Sequence, residues 1–340
     1  MTDNKVFIPN PSDQPQKRLT ALSPKGEGAD GLFTQSWFPI CTSEEVAAGT
    51  AHSFSFLDGR VIVFRNNDGM ARVLSAFCPH MGADLASGDI CNDTLRCGFH
   101  HWQFDIEGKC VNTGVGTPAP SQAKLFRYPS VERWGIVFAF NGLTPLWDLP
   151  DFRYPDDELV FKSFAIDGNM PVDPWIQCSN TPDMQHIKTM HGIKFNCEDP
   201  DDEVEWSKYS MSYYFDGVHR KGEKLENWVA IHGTSLYWQE TFIDGQWFGF
   251  MVPMGLVGPS ETRNYFILCA RKDMGEKEEV NQFINEMIDL ELSVVGEDVH
   301  VLSNMHFKPG AVIKDDKTLL KFYKYIDEFP RAHPGEPFIK

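Results

Sequence analysis

No stretch of this 340-residue chain approaches the roughly 18 consecutive apolar residues of a membrane-crossing helix, so helical membrane spans are excluded. Basic residues are scarce. Lys and Arg number 31 against 48 Asp and Glu, and the formal net charge of −17 argues against nucleic acid or an anionic membrane as partner. Internal repeats and low-complexity tracts are absent. There are eight cysteines, too unevenly spaced for a disulfide framework that a chain of this size does not need, and a reducing cytoplasm is expected. The segment from Met1 to Lys25 is polar and lacks the apolar run of a signal peptide, so it is read as an arm, extended here to residues 1–36. No G-x-S-x-G nucleophile elbow occurs. Gly26-Glu27-Gly28-Ala29-Asp30-Gly31 matches G-x-G-x-x-G, but no strand precedes it and no helix follows, so it is not read as a dinucleotide site.

What is present is ample core material, with 42% hydrophobic and 13% aromatic residues. From residue 37 onward, short β-rich runs alternate with Asp58-Gly59 and Asn67-Asp68-Gly69, the punctuation of hairpins. A small all-β domain is expected over 37–145, ending in a Pro- and Asp-rich linker with Pro145, Pro150 and Pro155. Longer β-type runs at 203–215, 228–238, 242–251 and 263–270 follow. One helix comes after them, with Val280, Phe283, Ile284, Met287, Ile288 and Val294 at i, i+3, i+4, i+7 spacing and Glu291 as the polar interruption. The fold class is therefore α+β, with the all-β domain followed by an α+β domain over 146–340 built on an antiparallel sheet.

Cys78-Pro79-His80 and Cys97-Gly98-Phe99-His100 form the pattern C-x-H, x16, C-x2-H. Two thiolates and two imidazoles converging from adjacent loops suit tetrahedral zinc, or a two-iron, two-sulfide cluster with both cysteines on one iron and both histidines on the other. The tight C-x-H spacing and the absence of a finger helix favour the cluster. The glycines Gly82 and Gly98 suit loops that bring backbone amides close to sulfides. Cys78-Pro79-His80-Met81-Gly82-Ala83 and Cys97-Gly98-Phe99-His100-His101-Trp102 resemble the Rieske motif of ring-hydroxylating and related oxygenases. One departure is His101, where the family usually has Gly. It reads as an exposed loop histidine or as a contact to the cluster surroundings or a partner.

In the second half, Asn180-Thr181-Pro182-Asp183 leads to His186 and His191. Thr181 before Pro182 predicts a helix start. Residues five apart on an ideal helix are separated by about 140° of rotation, too wide for two ligands of one metal, so a π-bulge or helix break is expected between the histidines. Two histidines and a carboxylate make the facial triad of non-haem Fe(II) oxygenases. Asp298 lies 18 residues after Val280, about five turns, and projects from the apolar stripe if the helix continues past Gly296. Glu297 is the rival and points about 100° away, toward polar neighbours.

N-x2-D-x2-H-x4-H (Asn180, Asp183, His186, His191) and Glu297-Asp298 also resemble the catalytic segments of the Rieske oxygenases, from about residue 37 onward. The resemblance implies His186, His191 and Asp298 as ligands of a mononuclear Fe(II). It implies that Asp183 bridges to a Rieske histidine of the neighbouring subunit in a homotrimer. Asn180 caps the helix or stands near the iron. It further implies an oxygenase component that hydroxylates or demethylates a small organic substrate with O2. With no nucleotide module read in the chain, electrons are expected from a separate reductase or a ferredoxin. The competing readings are a Rieske-type electron carrier and a zinc-binding structural protein.

Overall fold

A computed structural model describes Ser12 and residues 23–197, 200–218, 222, 224–243 and 245–340. The start of the expected arm therefore lies outside the described residues. Its end does not hang free: Phe33–Thr34 pairs antiparallel with Arg331–Ala332 near the other terminus.

The Asp-Gly signals become turns of small antiparallel sheets. One sheet holds Thr50–Phe56, Gly59–Arg65 and Ala71–Ser75, and Gly69, with φ +85°, turns the chain between the last two. A second pairs Ser130–Arg133, Ile136–Phe140 and Trp37–Thr42. A third, of four short strands from Asp89–Cys91 to Cys110–Asn112, carries the second Cys-His pair.

The remainder is dominated by one fully antiparallel sheet. Its spatial order is Leu159–Met170, Glu261–Arg271, Gln246–Gly258, Leu236–Ile243, Lys224–His232, Ser210–Val218 and Lys194–Phe195, with Glu205–Trp206 also paired to Ser210–Val218. Two of the expected runs are corrected here. The 228–238 run folds back at Gly233 (φ +61°) and the 242–251 run at Gly245 (φ +81°), positions where the backbone reverses in a conformation open to glycine. The 12-residue strand Leu159–Met170 was hidden by its polar, Gly-containing end.

Helices α1 (Pro174–Cys178), α2 (Met184–Thr189), α3 (Lys277–Leu302) and α4 (Lys317–Glu328) lie with this sheet. The helix α3 runs unbroken through Gly296 for 26 residues and buries Val280, Ile284, Ile288, Glu291 and Leu302. Strand alternation sorts the sheet into two faces. Trp247, Met251 and Ile267 pack with Trp37, Ile136 and Phe138 of the first half. Phe248, Phe250 and Val252 face α1 to α4 instead. Among the described residues, no helix is long and apolar enough to cross a membrane.

Candidate metal centres

The two Cys-His loops are built alike. Cys78 N–H donates to Ala83 O and Gly82 N–H to Cys78 O; Cys97 N–H donates to Trp102 O and His101 N–H to Cys97 O. Each loop therefore closes over five residues, and the fourth position beyond each cysteine is left-handed: Gly82 at φ +77° and His101 at φ +58°. His101 occupies a conformation that a glycine adopts freely, which is the physical content of that departure from the family pattern. Its side chain is exposed. Gly98 of the second loop lies against the turn Leu85–Ser87 that follows the first, and a Cβ there would lie 2.6 Å from Ser87 O.

Cys78 and Cys97 are buried, whereas His80 and His100 are exposed, their rings 4.6 Å apart and His80 stacked on Trp102. Burial, with Cys97 alongside, pushes the Cys78 thiol up to about 12. A thiol buried as Cys78 is gives up its proton most readily to a metal. Among the described residues, the only set of three His, Cys or acidic donors within 4.8 Å of one another lies elsewhere, at His186, His191 and Asp298. The four Cys-His donors thus stand as a thiol pair and an imidazole pair. That arrangement suits two bridged irons better than one tetrahedral zinc.

The second set is assembled by α2 and α3. The helix α2 begins two residues later than the Thr181-Pro182 signal predicts, because Asp183 is the N-cap: its Oδ1 accepts from His186 N–H at 2.9 Å. The helix stops at Thr189, and the chain turns through Met190 and Gly192 (φ +65°). That break brings the His186 and His191 Nε2 atoms to 2.9 Å. Asp298 Oδ1 lies 3.3 Å from His186 Nε2 and 3.6 Å from His191 Nε2.

The donor chemistry fits a cation. Asp298 Oδ1 is buried and makes no hydrogen bond, although buried acceptors ordinarily have a partner. Its other oxygen, Oδ2, accepts from Asn180 Nδ2 at 3.0 Å, so Asn180 steadies the carboxylate and does not cap a helix. Glu297, the rival ligand, stands behind His191 and accepts from its Nδ1 at 3.1 Å. With the proton on Nδ1, Nε2 carries the lone pair that a cation would take.

These donors open into a cavity of about 200 Å³ between α3 and the inner face of the sheet. That exceeds the roughly 150 Å³ that accommodates benzene. The walls are largely apolar, as at Val229, Phe250 and Leu302, and among the described residues neither Lys nor Arg lines them. Sequence reasoning missed the polar groups there. Glu291, fully enclosed, is pushed up to about 7 by burial and accepts from Gln239 Nε2 at 3.0 Å. Gln239 also donates to Thr241, and Thr241 to Asn227 Oδ1 at 2.5 Å. Asn264 Nδ2 donates to Gln177 Oε1 at 2.7 Å. A signal existed: polar residues at every second position of an inward-facing strand, as in Gln239 and Thr241.

A family model described as the Rieske [2Fe-2S] domain matches residues 36–129, which contain all four Cys-His donors. The chain carries a Rieske domain. Among curated proteins, the chain is similar to cholesterol 7-desaturase nvd 1 of Ciona intestinalis, 31% identical over 174 residues (49% of this chain, 36% of the relative). It is similar to the oxygenase component of 3-ketosteroid-9-alpha-monooxygenase of Rhodococcus rhodochrous, 28% identical over 147 residues (43% of this chain, 35% of the relative). The chain thus spans little more than a third of the length of these relatives. The fold extends beyond the Rieske domain: the crystal structure of dicamba monooxygenase bound to dicamba superposes with a TM-score of 0.67 at 18% identity, covering 87% of this chain and 96% of that one. A Rieske β domain followed by an antiparallel-sheet domain is therefore the architecture of this protein.

Proposed function

We propose that this chain is the oxygenase component of a Rieske non-haem iron oxygenase. It takes electrons from a separate reductase, directly or through a ferredoxin, and uses O2 to hydroxylate or demethylate a small organic substrate. The carrying observation is the convergence of His186, His191 and the unbonded Asp298 Oδ1 on an apolar cavity, in a chain that also has a Rieske domain. An electron carrier has no use for that cavity or that second donor set. Residues 37–145 are assigned as the Rieske domain, 146–340 as the catalytic domain and 1–36 as an arm. The apolar walls, and the cholesterol and ketosteroid in the names of two relatives, support an apolar, ring-bearing substrate.

Iron held by His186, His191 and Asp298 would supply reductive activation of O2 beside the bound substrate. Asn180 holds Asp298, Glu297 holds His191, and the walls exclude water. Electrons enter at Cys78, His80, Cys97 and His100, whose histidine side is exposed. In a cyclic homotrimer, Asp183 of one subunit bridges to a Rieske histidine of the next. Exposed Met81 and Phe99 beside those histidines support a protein contact there. The free thiols support a reducing, cytoplasmic compartment.

Anaerobic purification, iron and acid-labile sulfide analysis, and EPR after reduction test the reading. About three irons and two sulfides per chain, with the rhombic signal of a His-ligated cluster, are expected. About two irons with that signal would favour the electron carrier, and zinc without sulfide would overturn both.

A further inference from the structure

Beyond the triad and Asn180, two groupings with side-chain amides line the cavity, and they differ in one respect. The Glu291, Gln239, Thr241 and Asn227 chain, with Tyr237 O–H donating to Gln239 Oε1, leaves no buried side-chain atom without a partner. The Gln177–Asn264 pair is not. Its single internal bond leaves Gln177 Nε2 and Asn264 Oδ1 buried and without a partner. Both residues line the same cavity as the triad, and they are 9% and 6% exposed.

The assignment of oxygen and nitrogen in the two amides does not matter here. If both are exchanged, Gln177 donates to Asn264, and the open atoms become one acceptor on Gln177 and one donor on Asn264. Either way the pair keeps one open donor and one open acceptor, on side chains that line the cavity. Buried polar groups left in this state destabilise the fold unless something completes them.

The complementary group must both accept and donate. A ketone or ether oxygen only accepts and leaves the amide oxygen unpaired. An ammonium only donates. A carboxylate only accepts, and among the described residues no Lys or Arg lines the cavity to balance its charge. A hydroxyl does both through one atom.

We propose that the Gln177–Asn264 pair is the recognition point for a hydroxyl group on an otherwise apolar, ring-bearing substrate. This rests on the oxygenase reading of the cavity and narrows its substrate class to alcohols. Gln177 sits one turn before Asn180, whose N–H donates to Gln177 O at 3.2 Å. The hydroxyl is therefore held at a set distance from the donors that Asn180 steadies.

The test is binding of 2-tetralol, 2-tetralone and tetralin to the iron-loaded protein, followed by calorimetry. These probes share one skeleton, exceed benzene in size and differ only at oxygen. The alcohol should bind about 10- to 100-fold tighter than either analogue. In Gln177→Met/Asn264→Leu that preference should vanish while the hydrocarbon still binds, and the variant should melt no lower than wild type. Equal affinities, a preference for the ketone, no saturable binding by any probe, or alcohol preference surviving in the double variant would each overturn the assignment. The comparison of three probes on wild type stands even if the variant fails to fold. Iron and sulfide counts on the same sample separate the two readings: a missing third iron sinks the oxygenase, whereas lost alcohol preference with three irons present sinks only the hydroxyl site.

Discussion

Glu297 Oε2 accepts a hydrogen bond from His191 Nδ1 at 3.1 Å, on the side of the ring away from Asp298. Neighbours on one helix thus take two parts, one supplying a donor and the other fixing the tautomer of a second donor. Glu297→Ala should weaken iron retention about 10- to 100-fold. Iron per chain after dialysis against a graded chelator should fall with sulfide unchanged. Equal retention by variant and wild type would remove the role.

Asp183 has a visible structural duty, the cap on α2, and a proposed one, the bridge between subunits. Asp183→Asn separates them, since Asn caps about as well as Asp but carries no charge. Thermal stability should be unchanged and both metals retained, while turnover with a reductase falls steeply. Asp183→Ala should in addition lose about 1 kcal/mol of stability. Full turnover in the Asn variant would leave only the cap.

The Glu291 carboxyl, raised by burial from 4.5 to about 7, makes a pH prediction. Between those values the folded protein keeps the proton and the unfolded chain loses it. Stability from this group is complete below about 4.5, declines as pH rises toward 7, and totals roughly 3 kcal/mol. Glu291→Gln should remove that decline. Wild-type and variant denaturation curves at pH 5 and 8 isolate it from Glu27, which burial also pushes up to about 7. Parallel pH dependences would contradict it.

Gly98→Ala should cost about 1–3 kcal/mol and lower the sulfide content, because the new methyl meets Ser87 O in the turn that follows the first Cys-His loop. Acid-labile sulfide per chain and the melting temperature measure this. A variant with full sulfide and normal melting would show that the Gly98–Ser87 contact can give way.

The features legible in the sequence are those encoded locally. The two Cys-His loops need only near neighbours, and the stripe on α3 announces both a helix and the inward side of Asp298. The break between His186 and His191 follows from rotation per residue alone, and it falls where α2 ends at Thr189. What could not be read depends on chain segments meeting in space. Glu297 was expected among polar neighbours because its angle on α3 was known but the approach of His191 was not. Gln177 and Asn264 are 87 residues apart and pair only because α1 lies against the Glu261–Arg271 strand region. The turn at Gly233 was invisible because its flanking strands share one hydrophobic vocabulary.

The short backbone link from Gln177 to Asn180 has a consequence for regioselectivity. A substrate pinned at Gln177 is measured against Asp298 by a single turn of chain, so that turn acts as a ruler between the pinned oxygen and the carbon that reacts. Lengthening or shortening it should move oxidation along the ring skeleton without altering which molecules are accepted. Changes at the sheet wall should do the reverse.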